Sequence, residues 1–402
     1  MGNPGKNGGF FGGEIEKEKR YNMDSVEIYG LAYGGMGVGK IDGKVCFVKG
    51  ALPGEKVRFI KEKEKKRFVI GRLGEIITQS TDRVKPPCPY YNKCGGCQYQ
   101  HLAYEKEVSY KGLQVREILE HIGGLKECVF EGIAPSPLDY GYRSSITVHR
   151  STGGYGYLAA DNRTVIKIDR CLLAADEINA AIGGLDCGNG KRDITLRNDI
   201  EGGVWISGHP GHRFFKDVIL DTELTFSPLA FSQVNRRVTV SIAQTLRAWM
   251  NKEEREVLFD FYCGVGLFGA LLCDMFRSVI GVDGNAVAID CAKTTKKDLS
   301  AGNMTFYHAG EDSFPAYYER LHGGANTIIL DPPRSGIGKD LIAWLLRPAG
   351  ANSLYYISCD PATLVRDAKL LTQNGPWALS RVASFDMFPR TMHIESIALF
   401  KK

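Results

Sequence analysis

The spacing of apolar and polar positions changes along the chain and predicts differently built regions. Between Asp24 and Thr78, short β-like runs are separated by glycine-bearing turns, a pattern typical of a small β-barrel. From residue 130 to 225, β-like runs again alternate with glycine turns, which predicts a mixed, mostly β region. One helix is expected between the two regions, from Tyr104 to His121.

The last part of the chain alternates apolar strands with helical segments. A predicted helix over Arg236–Asn251 leads into the apolar runs VLFDF, VIGVD, MTFYH, TIILD and LYYISC. Strands joined by crossover helices form a parallel, doubly wound sheet. The final runs, WALSRVASFDMFPR and ESIALFKK, have no helix between them. We therefore expect an antiparallel hairpin at the edge of the sheet.

These patterns predict a multidomain protein, as a length of 402 residues also indicates. We expect a disordered tail over 1–22, a small β-barrel over 23–80, a mostly β central domain over 81–225 and an α/β Rossmann-like domain over 226–402. The tail is rich in Gly, Asn, Glu and Lys and has no apolar period.

Composition excludes several classes of protein. With 44% hydrophobic and 24% charged residues, the chain is neither disordered nor fibrous. The most apolar stretch, Leu258–Phe276, contains two aspartates and three glycines, so no transmembrane helix is predicted. The N-terminus lacks the apolar core of a secretory signal. We expect a cytoplasmic monomer without a membrane partner, whose 11 cysteines are thiols, metal ligands or nucleophiles.

The excess positive charge lies at the N-terminal end. Residues 1–80 hold 15 Lys and Arg against 10 Asp and Glu, whereas the rest of the chain is balanced. The run KEKEKKRF, from Lys61 to Phe68, fits a solvated strand or turn and an anion-binding face equally well.

A glycine loop follows the first strand of the predicted sheet. Gly264, Gly266 and Gly269 have the G-x-G-x-x-G spacing that lets a ligand approach a helix N-terminus. The next strand ends at Asp283, where a carboxylate can accept hydrogen bonds from ribose hydroxyls. This pattern fits NAD and S-adenosylmethionine almost equally, and a tight packing turn is the third alternative.

Two reactive side chains are predicted at the carboxyl edge of the same sheet, and a third in the terminal hairpin. Asp331 ends a strand before two prolines, and a helix-initiating turn is the alternative interpretation. Cys359 ends the next strand, as a nucleophile or as inert packing. Glu395 lies in the bend of the terminal hairpin, as a base or as an ordinary surface residue.

Three cysteines, Cys88, Cys94 and Cys97, lie within ten residues. Neither a disulfide framework nor packing explains that density in a cytosolic protein. The spacing indicates a metal site whose fourth ligand comes from elsewhere, and zinc would accept four thiolates.

Taken together, these motifs resemble the TRAM-domain family of RNA uracil-5-methyltransferases, and within it the iron–sulfur type that modifies 23S rRNA. The ordered motifs that carry the resemblance are FSQVN (231–235), GVG (264–266), DPPRSG (331–336), SCDP (358–361) and HIES (393–396). The barrel, with IYGLAYGGMGVGK and ALPGEKV, resembles the RNA-binding TRAM module.

The resemblance implies S-adenosylmethionine-dependent C5-methylation of a uridine in RNA. Cys359 would be the nucleophile that adds to C6, and Glu395 the base that removes the C5 proton. The implied cofactor-binding residues are Gln233, Tyr262, Gly264, Gly266, Asp283 and Asp331. The implied ligands of a [4Fe–4S] cluster are Cys88, Cys94, Cys97 and Cys171.

The chain departs from the family pattern at three positions. Asp283 replaces the usual glutamate, Leu267 replaces a cofactor-contacting asparagine, and Asp360 stands where SCNP is common. We expect Leu267 to cost a cofactor contact, and Asp360 to raise the pKa of Cys359 by its charge.

The alternatives differ in class. A uridine in a tRNA T-loop is an alternative substrate to 23S rRNA. A second alternative is a non-catalytic RNA-binding protein that has the fold but not the activity. A third is an NAD-dependent oxidoreductase, which would use only the glycine loop. Since a target base must leave its stack, aromatic platforms are expected, with Phe231, Tyr140 and Tyr142 as candidates.

Overall fold

The computed structural model describes residues 24–185, 192–208, 214–250, 255–321, 326–347 and 351–402. The predicted tail over 1–22 lies outside them. The described residues form two compact units, one of residues 24–30 and 36–80 and one of residues 31–35 and 81–402. Because the larger unit spans both the central and the C-terminal regions, the division at 225 stays a prediction.

The smaller unit is the predicted barrel. Its strands alternate buried and exposed positions, and the barrel closes through antiparallel pairing of the first strand with the fourth in the order β1-β2-β3-β5-β4. Its core contains Val26, Val48 and Phe59. The strands are β1 (Asp24–Leu31), β2 (Met36–Ile41), β3 (Lys44–Lys49), β4 (Lys56–Glu64) and β5 (Phe68–Thr78).

The predicted helix of the larger unit is confirmed. Helix α1 (Tyr104–Glu117) continues into a π-helical turn (Ile118–Ile122), and strand β6 (Val129–Ala134) follows. Val115, Ile118 and Leu119 are buried in the core on one face of the C-terminal sheet.

The next segment forms a five-stranded antiparallel sheet, in the order β11-β10-β7-β8-β9, and a separate two-stranded sheet. Helix α2 (Asp176–Ile182) packs Ile178 and Ile182 against the first. The strands are β7 (Ser145–Ser151), β8 (Gly154–Leu158), β9 (Val165–Lys167), β10 (Asp193–Asn198), β11 (Val204–Ile206), β12 (Phe215–Ile219) and β13 (Thr222–Phe226).

The remaining strands and β6 form an eight-stranded sheet in the order β16-β15-β14-β17-β18-β20-β19-β6. The strands are β14 (Val257–Phe261), β15 (Ser278–Asp283), β16 (Met304–His308), β17 (Asn326–Leu330), β18 (Ala351–Ser358), β19 (Ala378–Phe385) and β20 (Glu395–Lys401). The associated helices are α3 (Arg236–Trp249), α4 (Leu267–Leu272), α5 (Ala286–Asp298), α6 (Phe314–Leu321), α7 (Lys339–Leu345) and α8 (Pro361–Asn374).

The predicted doubly wound arrangement is confirmed for β14 to β18, which are parallel to one another. Every residue of β14 and β17 is buried, because helices cover both faces of the sheet. Among the helices of the described residues, none is both long and apolar enough to cross a lipid bilayer.

The terminal hairpin is confirmed, but its predicted place at the sheet edge is wrong. Strands β19 and β20 pair antiparallel, and β6 then pairs parallel with β19 and forms the edge instead. Since β6 lies far upstream in the chain, nothing in the local pattern of the hairpin reveals this pairing.

Candidate active site

The glycine loop between β14 and α4 has an unusual backbone. Tyr262, Gly264 and Gly266 have φ values of 58°, 53° and 77°, the left-handed region that glycine tolerates best. The Gly264 N–H donates to Asp283 Oδ2 over 2.9 Å, and Asp283 Oδ1 accepts from the Asn285 N–H over 2.7 Å. The loop and Asp283 thus form one cradle at the carboxyl ends of β14 and β15, where open α/β sheets bind ligands.

Two further carboxylates lie beside this cradle. Burial and the charge of Asp283 raise the pKa of Asp331 to about 7, and a hydrogen bond with Gln233 opposes the shift. Burial also raises the pKa of Asp260 to about 7, against the Gly269 N–H that donates to its Oδ2 over 2.9 Å. Because three carboxylates crowd together, a cation would be stabilised here.

The segment that carries Gln233 is anchored at its end. Asn235 caps helix α3 by accepting from the Val238 N–H, and its Nδ2 donates to Ser136 Oγ over 3.0 Å and to the Met387 carbonyl over 3.3 Å. These contacts explain how a polar side chain outside the sheet reaches Asp331.

The side chains of Tyr262 and Leu267 pack against neighbouring residues. The Tyr262 ring packs edge-on against Phe314, with centroids 5.0 Å apart, and burial and Glu311 raise the pKa of its hydroxyl. Leu267 begins α4 and is buried in the hydrophobic core. The expected loss of a cofactor contact at Leu267 stays a prediction.

Strand pairing brings Cys359 and Glu395 together. Ser358 on β18 pairs with Ser396 on β20 in an antiparallel register. Cys359 follows directly after β18 and Glu395 begins β20, so this register brings the two residues to the same end of the sheet, where the charge of Glu395 acts on the thiol. Glu395 is 2% exposed, whereas Cys359 is half-buried.

The charges around this pair act in opposite directions. Burial, Glu395 and Asp331 raise the pKa of Cys359 to about 11, whereas Arg334 lowers it. Burial and Asp331 raise the pKa of Glu395 well above its usual range, and Arg334 again opposes the shift. Arg334 belongs to the DPPRSG motif, but no role was predicted for it; the signal in the sequence is a cation three residues after Asp331.

Asp360 has a different role from the one expected. Its Oδ1 caps helix α8 by accepting from the Thr363 N–H over 2.8 Å, and the Tyr33 hydroxyl donates to Oδ2 over 3.5 Å. The carboxylates that chiefly raise the pKa of Cys359 are Glu395 and Asp331. Tyr33, which belongs to the larger unit, was missed because its own sequence neighbourhood carries no catalytic motif.

The three candidate aromatic platforms differ in exposure. Phe231 is 69% exposed. Tyr142 is buried and its hydroxyl donates to the Pro389 carbonyl over 3.1 Å, so this ring is not available to a base. Tyr140 lies 5.0 Å from the guanidinium of Arg390.

Four predicted metal ligands line one cavity. Cys88, Cys94 and Cys97 reach it from one segment and Cys171 from another. Burial and the other three thiols raise the pKa of Cys97 to about 12. Across the described ranges, no three His, Cys, Asp or Glu side chains are grouped closely enough to hold a metal ion.

The chain matches two family descriptions. Residues 221–402 match tRNA (Uracil-5-)-methyltransferase and residues 25–73 match the TRAM domain. The 23S rRNA (uracil(1939)-C(5))-methyltransferase RlmD of Mannheimia succiniciproducens is 30% identical over 94% of this chain and 95% of its own length. The chain belongs to the RNA uracil-5-methyltransferase family. This confirms the predicted family and the predicted activity, RNA uracil C5-methylation.

Other comparisons agree with this membership. An uncharacterized RNA methyltransferase of Aquifex aeolicus is 30% identical over 92% of this chain and 96% of its own length. The crystal structure of Pyrococcus abyssi tRNA (uracil-54, C5)-methyltransferase in complex with S-adenosyl-L-homocysteine has a TM-score of 0.71 at 22% identity, covering 94% of this chain and 100% of that one. The latter shows the shared fold.

Proposed function

We propose that this family member transfers the methyl group of S-adenosylmethionine to C5 of a uridine in 23S rRNA, through a covalent adduct with Cys359. The observation that carries the proposal is the placement of Cys359 near Glu395, beside a cradle of carboxylates. Both residues lie at the same end of the sheet.

Uracil C5 is a weak nucleophile, and covalent catalysis makes it reactive. The Cys359 thiolate adds to C6 and converts the ring to an enolate, whose C5 can then attack an electrophilic methyl group. Glu395 next accepts the C5 proton, the enolate forms again, and its electrons expel the thiolate from C6. The raised pKa of Glu395 suits it to accept that proton.

The carboxylate cradle is suited to the methyl donor. When bound, S-adenosylmethionine supplies the methyl group and a positively charged sulfonium. Asp283 would accept hydrogen bonds from the ribose hydroxyls of the cofactor. Gln233 and Asp331 would bind polar groups of the cofactor. A cation in this site would lower the pKa values of Asp331, Glu395 and Cys359 together and favour their anionic forms.

Cofactor affinity should depend on pH through Asp331. Because the pKa of Asp331 is raised to about 7, its anionic form, and with it the affinity, should increase as the pH rises from 6 to 8. Calorimetry should detect proton release on binding near pH 7. Asp331→Asn should bind more weakly and lose most of this pH dependence. Equal pH dependence in both proteins would remove Asp331 from the binding site.

The RNA substrate is inferred from the relatives. Relatives 29% and 30% identical over 94% of this chain bear the name 23S rRNA (uracil(1939)-C(5))-methyltransferase, whereas the family description and the Pyrococcus abyssi protein, which is 22% identical, name tRNA. Mapping 5-methyluridine in total RNA from a deletion strain tests the choice. Loss of one methyl group from 23S rRNA is expected, and loss from the tRNA T-loop alone would establish the alternative substrate.

The barrel presents two kinds of basic residue. Lys44, Lys56, Arg58 and Arg72 form ion pairs with glutamates across the strands, and Lys61 pairs with Asp24 over 2.6 Å. The remaining cations of the segment 61–68 are exposed and, within the described part of the barrel, form no ion pair. They are Lys63, Lys65, Lys66 and Arg67. We infer that these four bind RNA phosphates.

Replacing these four cations by glutamine should weaken RNA binding and reduce its salt dependence. Each lost phosphate contact should lower the log–log slope by up to ~0.9 on duplex or ~0.7 on single-stranded RNA. The matched control replaces the four ion-paired residues Lys44, Lys56, Arg58 and Arg72 by glutamine. Filter binding at several salt concentrations measures both. Equal slopes for the two variants would favour a solvated face at 61–68.

We further propose that the four cysteines hold a [4Fe–4S] cluster. The proposal rests on the chemistry of the donors, since four thiols from two separated segments line one cavity and thiolates are the ligands of such clusters; in the described residues the thiols are not drawn together around one point. Methyl transfer requires no electron, so we infer a structural role for the cluster, in the region 81–225.

Protein purified without oxygen should be brown and contain iron and sulfide. Serine in place of Cys88, Cys94, Cys97 or Cys171 should bleach it, because serine is a poor ligand for iron. Cys128→Ser is the control, since Cys128 lies outside the cavity and its thiol donates to the Leu125 carbonyl. Metal analysis that returns one zinc per chain and no iron would overturn this proposal.

A further inference from the structure

The bend between β19 and β20 leads directly into Glu395, and the segment after the cysteine cluster holds it. The Met392 N–H donates to Gln98 Oε1 over 3.0 Å. The N–H groups of Gln98 and Tyr99 both donate to the Arg390 carbonyl, over 2.9 and 3.1 Å. Backbone groups on both sides of position 391 are thus fixed by residues next to Cys97.

Arg390 is the centre of this attachment. Its N–H donates to Glu107 Oε1 over 2.7 Å, and its guanidinium binds Glu107 Oε2 at 3.3 Å and the Leu102 carbonyl at 2.9 Å. The other terminal nitrogen of the guanidinium donates to the Asp139 carboxylate. The side chain is 7% exposed, so water competes little for these bonds.

A second buried cation ties the start of the bend to the same helix. Lys111 on α1 lies 2.8 Å from Glu107 and 2.7 Å from Asp386, the residue that follows β19, and all three side chains are fully buried. The Tyr104 hydroxyl donates to Asp386 over 2.9 Å. Helix α1 therefore binds the bend at two points, through Lys111 at Asp386 and through Glu107 at Arg390.

The backbone of Arg390 has an unusual conformation, which depends on these contacts. Its φ of 66° lies in the left-handed region, which a residue with a Cβ adopts at a cost unless its surroundings compensate. Every contact of the Arg390 main chain and guanidinium named above, including the ring of Tyr140, is made to the stretch between residues 98 and 140. No catalytic group is among those partners.

We propose that Arg390 is a positioning residue for the base, and that it holds the β19–β20 bend in the one conformation that places Glu395 near Cys359. The inference rests on the proposed function, because it assumes that Glu395 removes the C5 proton. Loosening the bend should impair proton removal selectively, while addition of Cys359 and methyl transfer continue. Misplacement of a catalytic group by about 1 Å can cost roughly 10²-fold in rate.

The test compares Arg390→Met, Arg390→Lys and Glu395→Gln in full-length protein with a uridine-containing RNA fragment. Arg390→Met should accumulate methylated covalent adduct and release product roughly 10²-fold more slowly. Arg390→Lys keeps the charge but not the fork of donors, so an intermediate rate is expected. In the double variant with Glu395→Gln, release should be no slower than in Glu395→Gln alone.

Arg381→Met is the matched control. Arg381 lies on the same hairpin, but its pair with Glu131 is exposed, so adduct should not accumulate. If Arg390→Met and Arg390→Lys release product at the wild-type rate while Glu395→Gln traps adduct, Arg390 does not position the base. If the Arg390 variants lose cofactor affinity and methyl transfer as much as release, its role is only to maintain the fold. Failure of Glu395→Gln to trap adduct instead refutes the proposed role of Glu395.

Discussion

Replacing Cys359 by alanine should abolish methyl transfer, with a loss of roughly 10⁴-fold or more. Among the side chains that meet at this end of the sheet, Cys359 is the thiol placed to add to C6, and without that addition C5 stays too weak a nucleophile. Single-turnover transfer of a labelled methyl group to RNA measures the effect. Cofactor binding should persist, because the cradle of Gly264, Asp283 and Asp331 is built without Cys359.

Trapping the intermediate separates catalysis from binding. RNA that contains 5-fluorouridine has no C5 proton to remove, so the wild-type protein should form an adduct stable on denaturing gels. Cys359→Ala should form none. Cys128→Ala is the control, because Cys128 is another half-buried thiol whose pKa is raised by burial. An adduct that forms equally in Cys359→Ala would eliminate Cys359 as the nucleophile.

Replacing Glu395 by glutamine should leave methyl transfer intact but slow product release by roughly 10²- to 10⁴-fold. The amide keeps the size of the side chain but cannot accept the C5 proton. Covalent, methylated RNA–protein complex should therefore accumulate with ordinary uridine RNA. Quenched-flow sampling on denaturing gels distinguishes a fast first turnover from slow release.

The effect should be specific to position 395. Glu256→Gln is a suitable control, because Glu256 forms an exposed ion pair with Arg277, and it should turn over normally. The charge change at 395 should also lower the pKa of Cys359, since Glu395 is the group whose charge raises it most. The pH at which the thiolate adds should then fall. Normal release and no accumulated adduct would remove Glu395 from the mechanism.

Features that depend on neighbouring residues could be predicted from the sequence. Alternating positions in β1 and β4 and the fully apolar β14 and β17 reflect how many faces of each strand are covered. The glycine loop was predictable as well, because two of its three left-handed residues are glycines, which adopt that conformation most readily. The family motifs predicted the activity, because each is a short contiguous stretch that can be recognised without knowledge of the fold.

Pairings between distant segments were decided only by the tertiary structure. Strand β6 takes the sheet edge through pairing with β19, and no local period encodes that partner. The residue type of Asp360 does not indicate whether its carboxylate acts on the Cys359 thiol or caps a helix. Its position before the first turn of α8 makes it a helix cap. The proximity of Cys359 and Glu395 follows from the β18–β20 register.

The buried ions show the same division most clearly. The amino-acid sequence shows which residues are charged. In the sequence, Glu107, Lys111 and Arg390 resemble ordinary surface residues of a helix and a loop. Only the folded chain places Asp386 and Glu107 on the same ammonium group of Lys111. A buried charge is stable only beside its partner, and these partners come from segments more than two hundred residues apart, so their role depends on contacts that no local pattern contains.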